Sequence, residues 1–572
     1  MAKFFVSNNK ALYDKALEVI RQSEFKVGFS YKSSDVYALT VKKLFINNVN
    51  AWCINDKFVI ATGTPIYNES MDLSSLVDDF HGDVNQIRKH FMGQYGVVHH
   101  KNSETIIFGD PVGAYNIYYY NYNNEWFVSN SLSDMASILG EKICVSESNY
   151  IEECCQNSIL CGESLYDGIK RLHGFEAISI NKQGSLSIVQ MSPQYLSSEK
   201  TNYVEKVDKL VNTLKYKAGV IYKVLGNPDI FMTGGLDARI SLATYLSVHA
   251  KPVLHYGVGN SFITNTKARD GEIAEMFSLK YDLNLVNEDW TTPKPLYKYW
   301  KKYIEKYGVL AKNYAASDRV IKSFENLSNN ISTFGYGGEL YRNLPWIENM
   351  NKDSFTVEEF VDEYYIGSTP AKYLAKNRDT YREGILKKVK SICATYNLDP
   401  NHIKKEDNIF FLIEYRKYAD TYLMNMLNMM RYSNLLLMEY DCLSSASVSV
   451  EQMKSSKFML DVIIKLDDTI MDIPVFSHCI DRKYNKIKGT LEPPPLTLRA
   501  KLSSYIPSIV KRHIKALRKE QAKQDIFDYK ALLMNNAFRH KLSFDSAIDK
   551  RYIVHSALLF EALYKKSNDR FS

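Results

Sequence analysis

The sequence has little of what marks several common classes of protein. Its 572 residues include only eight cysteines, too few for a disulfide scaffold and in keeping with a reducing cytoplasm. Glycine and proline number 26 and 15, so collagen-like and low-complexity classes are excluded. No stretch offers about 18 uncharged apolar residues, so we expect no transmembrane segment. The first residues also lack the apolar core of a signal peptide.

The sequence also lacks a strong excess of charge of either sign. A net charge of +7 spread over this length does not imply a nucleic-acid partner, and we expect none. Hydrophobic residues make up 45% and charged residues 24%, which is typical of a folded globular protein. At about 100–200 residues per domain, the length predicts two to four domains. We expect a cytoplasmic location and leave a homodimer open.

The first 190 or so residues predict an antiparallel sheet. Short runs rich in β-branched and aromatic residues alternate there with glycine, asparagine and aspartate clusters. The runs are 58–62, 104–108, 115–120, 126–129 and 177–180. The pair His99-His100 is interpreted as a turn between strands. A polar stretch without periodicity, 192–202, is the best candidate for a linker.

After this stretch the pattern changes to alternating helix and strand. Residues 203–225 and 240–246 have helical spacing, whereas 229–232 and 253–256 are short apolar runs. This alternation predicts an α/β domain with a parallel sheet. Beyond about Trp346 the chain is expected to be mostly helical, with 422–438 a buried helix. The basic stretch 499–523 is interpreted as a solvated helix face, with contact to an anionic surface as the alternative.

The sharpest local pattern lies at 229–239, where an apolar run leads into Thr233-Gly-Gly-Leu-Asp. Two glycines permit a tight turn and let phosphate oxygens approach backbone N–H groups. The start of the following helix adds more donors. Thr233 offers a hydroxyl, and Asp237 offers a carboxylate for Mg²⁺. The spacing alone is equally compatible with phosphate binding and with a turn that only links strand to helix.

This pattern resembles the pyrophosphate loop of the N-type ATP pyrophosphatases, SGGxDS, with Ala238 in place of the last serine. The chain as a whole resembles the asparagine synthetase family and its β-lactam synthetase relatives. Four segments agree with the family in order, over about residues 58–480. They are 110–120 with 127–131, 165–174, 233–237, and Phe334-Gly-Tyr-Gly-Gly-Glu-Leu-Tyr-Arg.

The resemblance implies a fold and a division of the chain. Residues 1–195 are expected to form a degenerate glutamine-amidotransferase-like domain, an α+β sandwich of the N-terminal-nucleophile (Ntn) type. Residues 203–572 are expected to form an ATP-pyrophosphatase domain, an α/β parallel sheet with a helical C-terminal part.

The resemblance also implies ATP and Mg²⁺ as cofactors. Asp237 and Glu339 are the implied metal ligands, since magnesium needs only one or two protein carboxylates. Asp270 matches an acidic position of the family, although a helix N-cap explains it equally well. The implied nucleotide-binding residues are Thr233, Gly234, Gly235, Leu236, Asp237, Gly257, Asp270, Gly335 and Gly337.

The implied reaction is activation of a carboxylate by ATP. The carboxylate attacks the α-phosphorus, pyrophosphate leaves, and an amine then displaces AMP to form an amide. Partners would be a small-molecule, sugar-acid or peptide carboxylate and an amine or ammonia. The family uses a late lysine to stabilise the transition state, and among Lys483, Lys486 and Lys488 we favour Lys483.

Two departures from the family bear on the reaction. Glutamine-dependent members expose an N-terminal cysteine as nucleophile, but position 2 here is Ala2, so loss of glutaminase chemistry is expected. Tyr336 replaces the usual acidic residue, as in β-lactam synthetases, where a Tyr works beside a Glu as base. A phenol with a pKa of about 10 needs such a partner. The candidate partners are Glu358, Glu359 and Glu363, and a purely structural tyrosine remains the alternative.

Other functions remain open beside the ligase. One is a catalytically inactive scaffold or interaction protein built on the same fold. Another is a pyrophosphatase-loop enzyme that acts on RNA, against which the modest net charge and the lack of a CxxC pair both count. Cys154, Cys155 and Cys161 have no zinc-site spacing and are interpreted as core residues.

Overall fold

The structure is a computed structural model, which describes most of the chain up to residue 492. The described residues are 1–47, 50–80, 82–156, 158–191, 202–258, 264–289, 318–342, 352–367, 378–419, 421–445, 456–477 and 480–492. Most of the predicted linker at 192–202 and the whole basic stretch 499–523 lie outside them.

Two six-stranded antiparallel sheets form the first part of the molecule. In spatial order, the first consists of Ile169–Arg171, Tyr118–Tyr122, Glu125–Ser129, Lys3–Ser7, Tyr37–Val41 and Val27–Lys32. The second consists of Leu186–Gln190, Glu176–Ile180, Glu104–Gly109, Tyr95–Lys101, Lys57–Gly63 and Ala51–Ile54.

The alternation of side chains along these strands stacks the two sheets into a sandwich. Phe4 and Val6 point to one face and pack against Ile60 and Val98 of the other sheet. Phe5 points to the opposite face, onto an apolar layer supplied by helices. The helices of this part are Lys10–Arg21, Leu76–Asp79, Val84–Arg88, Leu132–Leu139 and Glu147–Gln156. The predicted antiparallel sandwich is therefore confirmed as an arrangement of sheets.

Two details of the sandwich differ from the predictions. His99 and His100 are buried inside the strand Tyr95–Lys101, so their interpretation as a turn is wrong. The turn falls instead at Asn102 and Ser103, which both adopt positive φ, as a tight hairpin requires. The run 115–120 becomes a strand only from Tyr118.

The second part is built on a five-stranded parallel sheet, as predicted. Its spatial order is Leu285–Asp289, Val253–Val258, Pro228–Phe231, Ile331–Thr333 and Tyr432–Asn434. The chain first runs outward from Pro228–Phe231 on one side and later returns on the other. The order of strands therefore reverses between Pro228–Phe231 and Ile331–Thr333, and in open α/β sheets ligands bind at such a reversal.

The prediction of one buried helix over 422–438 is wrong. The helix Thr421–Met430 ends, and Tyr432–Asn434 becomes the fifth strand of the parallel sheet. The turn between them is held by Arg431, whose guanidinium donates to the carbonyl oxygens of Phe324, Glu325 and Asn329. The strand Tyr432–Asn434 pairs with Ile331–Thr333, about a hundred positions earlier in the chain. The periodicity of a short sequence window does not detect so distant a partner.

Helices otherwise dominate the second part, as expected. They are Tyr203–Leu225, Leu236–Leu246, Thr264–Tyr281, Asp318–Glu325, Val357–Phe360, Arg378–Tyr396, Asn408–Ala419, Thr421–Met430, Tyr440–Leu443 and Lys457–Leu466. A small antiparallel sheet of Val475–Ser477, Ile480–Asn485 and Thr490–Glu492 follows them. None of the helices in the described ranges is long and apolar enough to cross a membrane.

Buried hydrogen bonds join the sandwich to the parallel-sheet part. The Asn425 side chain accepts from the backbone N–H of Asn116 at 2.9 Å and donates to the carbonyl oxygens of Asn116 and Asn130. The Thr64 hydroxyl donates to Asn428 Oδ1 at 2.8 Å. Because these groups are buried, each depends on its partner across the boundary.

We expect Asn425→Ala to lower the free energy of unfolding by about 1–3 kcal/mol, because it leaves buried backbone groups of the sandwich without partners. Asn401→Ala is the control, since Asn401 is exposed. Urea unfolding monitored by tryptophan fluorescence measures both. Equal midpoints for the two variants would contradict the structural role of this contact.

Candidate functional site

Two glycine-containing loops meet at the carboxyl ends of the strands beside the reversal. Thr233–Asp237, the first glycine loop, follows the strand Pro228–Phe231. Gly335–Glu339, the second glycine loop, follows Ile331–Thr333. The strands are hydrogen-bonded neighbours and run parallel, so both loops emerge at the same edge of the sheet. Nucleotide-binding residues are predicted in both loops.

The first glycine loop is held from two sides. The Gly234 N–H donates to Asp270 Oδ1 at 2.7 Å, and the Gly234 carbonyl accepts from the Phe476 N–H at 2.9 Å. A Cβ at Gly234 would lie 2.7 Å from the Phe476 Cβ and 2.8 Å from Ile273, so only glycine fits. At Gly235 the nearest atom to such a Cβ is Thr233 Oγ1, at 3.7 Å, so the loop has space there.

Asp270 is not a helix N-cap. It lies well inside the helix Thr264–Tyr281 and uses its carboxylate to hold the first glycine loop. The N-cap alternative is therefore wrong. Thr233 itself is exposed, and Leu236 is buried at the first position of the helix Leu236–Leu246.

The second glycine loop lies directly on the first turn of that helix. A Cβ at Gly335 would be 2.2 Å from the carbonyl carbon of Asp237, and one at Gly338 would be 2.4 Å from Asp237 Oδ1. Gly337 has φ of 87°, which residues with a side chain rarely adopt. Glycine is thus needed at these positions for the two loops to touch.

The contact brings three charged side chains together. The Arg342 guanidinium donates from Nε to Asp237 Oδ1 at 2.9 Å and from an Nη to Asp237 Oδ2 at 2.8 Å. The same Nη lies 3.9 Å from Glu339 Oε1. The two predicted metal ligands therefore converge on one cationic group. Arg342 is the last residue of the sequence motif 334–342, but the motif alone does not indicate this role.

This donor set fits a divalent cation. Two carboxylates on facing loops provide the oxygen ligands that Mg²⁺ prefers, and a positive group already sits between them. The space at Gly235 and the helix N-terminus at Leu236 fit a phosphate beside the cation. Asp237 and Glu339 would hold the metal.

Tyr336 lies at the tip of the second glycine loop and is 37% exposed. Two of its candidate partners bind other groups. Glu358 pairs with Lys390 at 3.0 Å, and Glu359 pairs with Lys352 and caps its own helix. Glu363 is exposed. The catalytic role of Tyr336 stays a prediction.

Lys483 is exposed on the strand Ile480–Asn485, which pairs with Val475–Ser477 beside the first glycine loop. Strand alternation puts Lys483 on the same face as Asp481, whose carboxylate binds Arg269 at 3.0 Å. Lys486 and Lys488, the two alternatives, form ion pairs with Asp472 and Glu492.

Gly257 lies near the carboxyl end of its strand, where its register partner is Glu288.

Arg239 is a site residue that no sequence pattern predicts. It is fully buried on the helix Leu236–Leu246 and donates to the carbonyl oxygens of Ile470, Ile473 and Pro474. Burial lowers the pKa of its guanidinium to about 9. Through these bonds Arg239 fixes the segment that delivers Phe476 to Gly234. Only a contact between residues more than 200 positions apart reveals this role.

A buried histidine joins three strands beneath the site. His255 Nε2 lies 2.8 Å from Asp229 Oδ1, and its Nδ1 lies 3.0 Å from Glu288 Oε1. Burial lowers the pKa of this imidazole, but the bonds to the two carboxylates outweigh burial and raise it above its usual value. The His255 carbonyl accepts from the Met232 N–H just before the first glycine loop.

Ala2 is fully buried and belongs to the same apolar layer as Phe5. Its N–H donates to Val41 O at 2.8 Å, and its carbonyl accepts from Asn130 at 2.9 Å. The methyl side chain offers no nucleophile at this position.

The cysteines form no metal site in the part of the chain that the structure describes. Cys155 is buried, and Cys161 donates through its thiol to Lys388 O. No group of three or more His, Cys, Asp or Glu side chains among the described residues is arranged to hold a metal ion. A site with two carboxylates, as at Asp237 and Glu339, falls below that number.

Comparison with known proteins gives little beyond this geometry. No family model and no curated protein matches the sequence. Among solved structures, glutamine phosphoribosylpyrophosphate amidotransferase from B. subtilis, complexed with ADP and GMP, is similar at 7% identity, with 59% of this chain and 77% of that chain covered. A structure described as the allosteric regulatory enzyme of purine biosynthesis is similar at 8% identity, with 58% and 74% covered.

Both likenesses have a TM-score of 0.23, so they carry no argument about the fold or the activity of this chain. The antiparallel sandwich and the five-stranded parallel sheet rest on the strand pairings above. Membership of the asparagine synthetase family stays a prediction.

The His255 cluster predicts a pH-dependent contribution to stability. A raised histidine pKa stabilises the fold below about pH 6.5, and this contribution is lost as pH rises through the folded value. Burial raises the pKa of Glu288, but its bond to His255 outweighs burial and lowers the pKa below its usual value. This adds a contribution to stability that is lost only in acid. We therefore expect His255→Gln to cost more stability near about pH 6 than near about pH 9.

Urea unfolding of wild type and His255→Gln at both pH values measures this difference. Each unit of raised pKa is worth about 1.4 kcal/mol at the lower pH. His402→Gln serves as the control, because His402 is exposed. A cost for His255→Gln that stays constant or grows with pH would contradict the assigned role of the two carboxylates.

Proposed function

We propose that this protein is an ATP-dependent ligase that adenylates a carboxylate, releases pyrophosphate and passes the acyl group to an amine. The observation that carries the proposal is the direct contact between the two glycine loops at the strand reversal. This contact brings Asp237 and Glu339 to the same guanidinium, with the Arg342 Nη 2.8 Å from Asp237 and 3.9 Å from Glu339, which supports a shared metal position. Ligands of open α/β sheets bind at that place.

The roles of the residues follow from their positions. Backbone donors of the first glycine loop and the start of the helix Leu236–Leu246 would hold the leaving pyrophosphate. Asp237 and Glu339 would hold a magnesium ion, which supplies positive charge against the phosphate oxygens when bound. Lys483 would add positive charge from the neighbouring sheet. The protein's contribution is thus mainly positioning and charge stabilisation.

The amine would not come from glutamine hydrolysed by this chain, because Ala2 has no nucleophile. Free ammonia, ammonia from a partner, or an amine within the substrate remain the sources. Tyr336, which is exposed on the second glycine loop, would contact the incoming amine or acid. The carboxylate belongs to a small molecule, a sugar acid or a peptide. No part of the proposal needs nucleic acid.

A second candidate is a catalytically inactive scaffold. One specific observation favours it: the groups that would bind Mg-ATP already bind each other. Asp237 holds Arg342 in a two-bond fork, and the Gly234 N–H holds Asp270. A site that never exchanges these contacts for nucleotide would keep its shape without turnover.

Nucleotide binding separates the two candidates. If the site is live, Mg-ATP at about 100 dissociation constants adds about 2.7 kcal/mol of stability, seen as a raised melting temperature. We expect Asp237→Asn to lose this shift. Asp362→Asn should keep it, because Asp362 forms the same kind of fork with Arg382 outside the site.

Turnover is then measured as pyrophosphate released from ATP with uronic acids, peptides bearing side-chain carboxylates, and aspartate. With the acid that supports the fastest pyrophosphate release, we expect the rate to fall by about 10²-fold or more in Asp237→Asn. A loss of this size is typical when a group that stabilises charge in the transition state is removed. Full turnover in Asp237→Asn would refute the assigned site. Absence of any ATP-induced shift in the wild type would favour the scaffold.

A further inference from the structure

Arg342 lies where a metal-binding site would be expected to hold its metal. Its guanidinium donates one hydrogen bond to each carboxylate oxygen of Asp237, and one Nη lies 3.9 Å from Glu339 Oε1. All three side chains are partly buried, with relative exposures of 28%, 24% and 21% for Arg342, Asp237 and Glu339. The guanidinium therefore neutralises the two carboxylates where solvent screening is reduced.

The fork geometry makes this contact hard to share. A guanidinium presents two parallel N–H groups that match the two oxygens of a carboxylate, and such paired bonds are among the stronger hydrogen bonds in proteins. Both Asp237 oxygens already accept from the guanidinium, so a metal ion that approaches this carboxylate meets a positive charge that has neutralised it. Arg342 and a divalent cation thus compete for the same negative charge.

We propose that Arg342 is a built-in cation that occupies the divalent-metal position between Asp237 and Glu339 until nucleotide arrives. The inference rests on the proposed function only in taking these two carboxylates as the metal ligands. It concerns metal binding, so it is testable without knowledge of the acid or the amine.

The arrangement sets the order in which ligands bind. Metal alone must displace an ion pair, and its apparent affinity is reduced by the small fraction of protein in which the fork is open. The phosphates of a nucleotide offer the guanidinium a replacement partner of the same geometry. Metal and nucleotide therefore enter together, and free divalent cation does not occupy the site beforehand.

The test is the affinity for Mn²⁺ alone, measured from the free-ion signal in electron paramagnetic resonance. We expect Arg342→Gln and Arg342→Met to bind one Mn²⁺ at least about tenfold more tightly than the wild type, because two facing carboxylates are left without their cation. Adding Asp237→Asn to either variant should abolish the gain.

Arg382→Gln is the matched control. Arg382, on the helix Arg378–Tyr396, forms a fork with Asp362 through the same pattern of Nε and Nη donors, at a more exposed position. Loss of this fork should leave the Mn²⁺ affinity of the site unchanged. A gain in Arg382→Gln equal to that in Arg342→Gln would mean that any freed carboxylate binds the metal, and it would overturn the proposal.

A measurement on the wild type covers the case in which both Arg342 variants melt early. Sulfate offers the guanidinium another oxyanion, so Mn²⁺ affinity should rise with sulfate relative to chloride at equal ionic strength. Unchanged affinity in sulfate, or in well-folded Arg342 variants, would overturn the proposal. Failure of the ligase reaction alone would leave these Mn²⁺ results intact, so the two proposals fail separately.

Discussion

The close approach of the second glycine loop to the first turn of the helix Leu236–Leu246 is the constraint on which the site depends. With 2.2 Å between a would-be Cβ of Gly335 and the Asp237 carbonyl carbon, no other residue lets the two backbones meet. The contact lies at the strand reversal. The connections from the two neighbouring strands run in opposite directions there and leave a crevice. Moving this loop outward would separate Asp237 from Glu339 and leave no shared cation position.

Much of the surrounding structure maintains this contact. Arg239 anchors the segment that delivers Phe476 to the first glycine loop, and Asp270 holds that loop from the opposite side. Below the loops, His255 ties three strands together through two carboxylates. The charged groups here are mostly paired within the protein. A ligand must therefore exchange existing contacts, and the energy of binding is the difference between new and old ion pairs.

The sequence predicted the elements whose signals are local. The helix Tyr203–Leu225 and the strands Pro228–Phe231 and Val253–Val258 carry their own periodicity, so their bounds were close to those observed. Both glycine loops were also predicted, because the residues that favour a turn are consecutive in the sequence. Asp237 and Glu339 both approach the Arg342 guanidinium, and their binding of a metal stays a prediction.

The misses share a long-range cause. The strand Tyr432–Asn434 was taken for helix because its partner Ile331–Thr333 lies about a hundred residues away. A helix N-cap remained an equal alternative for Asp270 because its partner, the Gly234 N–H, comes 36 positions earlier. The pairing of Arg342 with Asp237 and the anchoring by Arg239 depend on the fold being complete. Sequence patterns name residue types suited to a chemistry, whereas tertiary contacts decide which of them meet.

A crystal structure grown with Mg²⁺ and the α,β-methylene analogue of ATP would show whether nucleotide and metal displace Arg342, because that analogue blocks cleavage at the α-phosphorus. We expect phosphates against the first glycine loop, the metal between Asp237 and Glu339, and Arg342 released from Asp237 onto a phosphate oxygen. A nucleotide bound away from the strand reversal, or a structure in which the analogue is absent and the Arg342 fork persists at saturating ligand, would contradict this expectation.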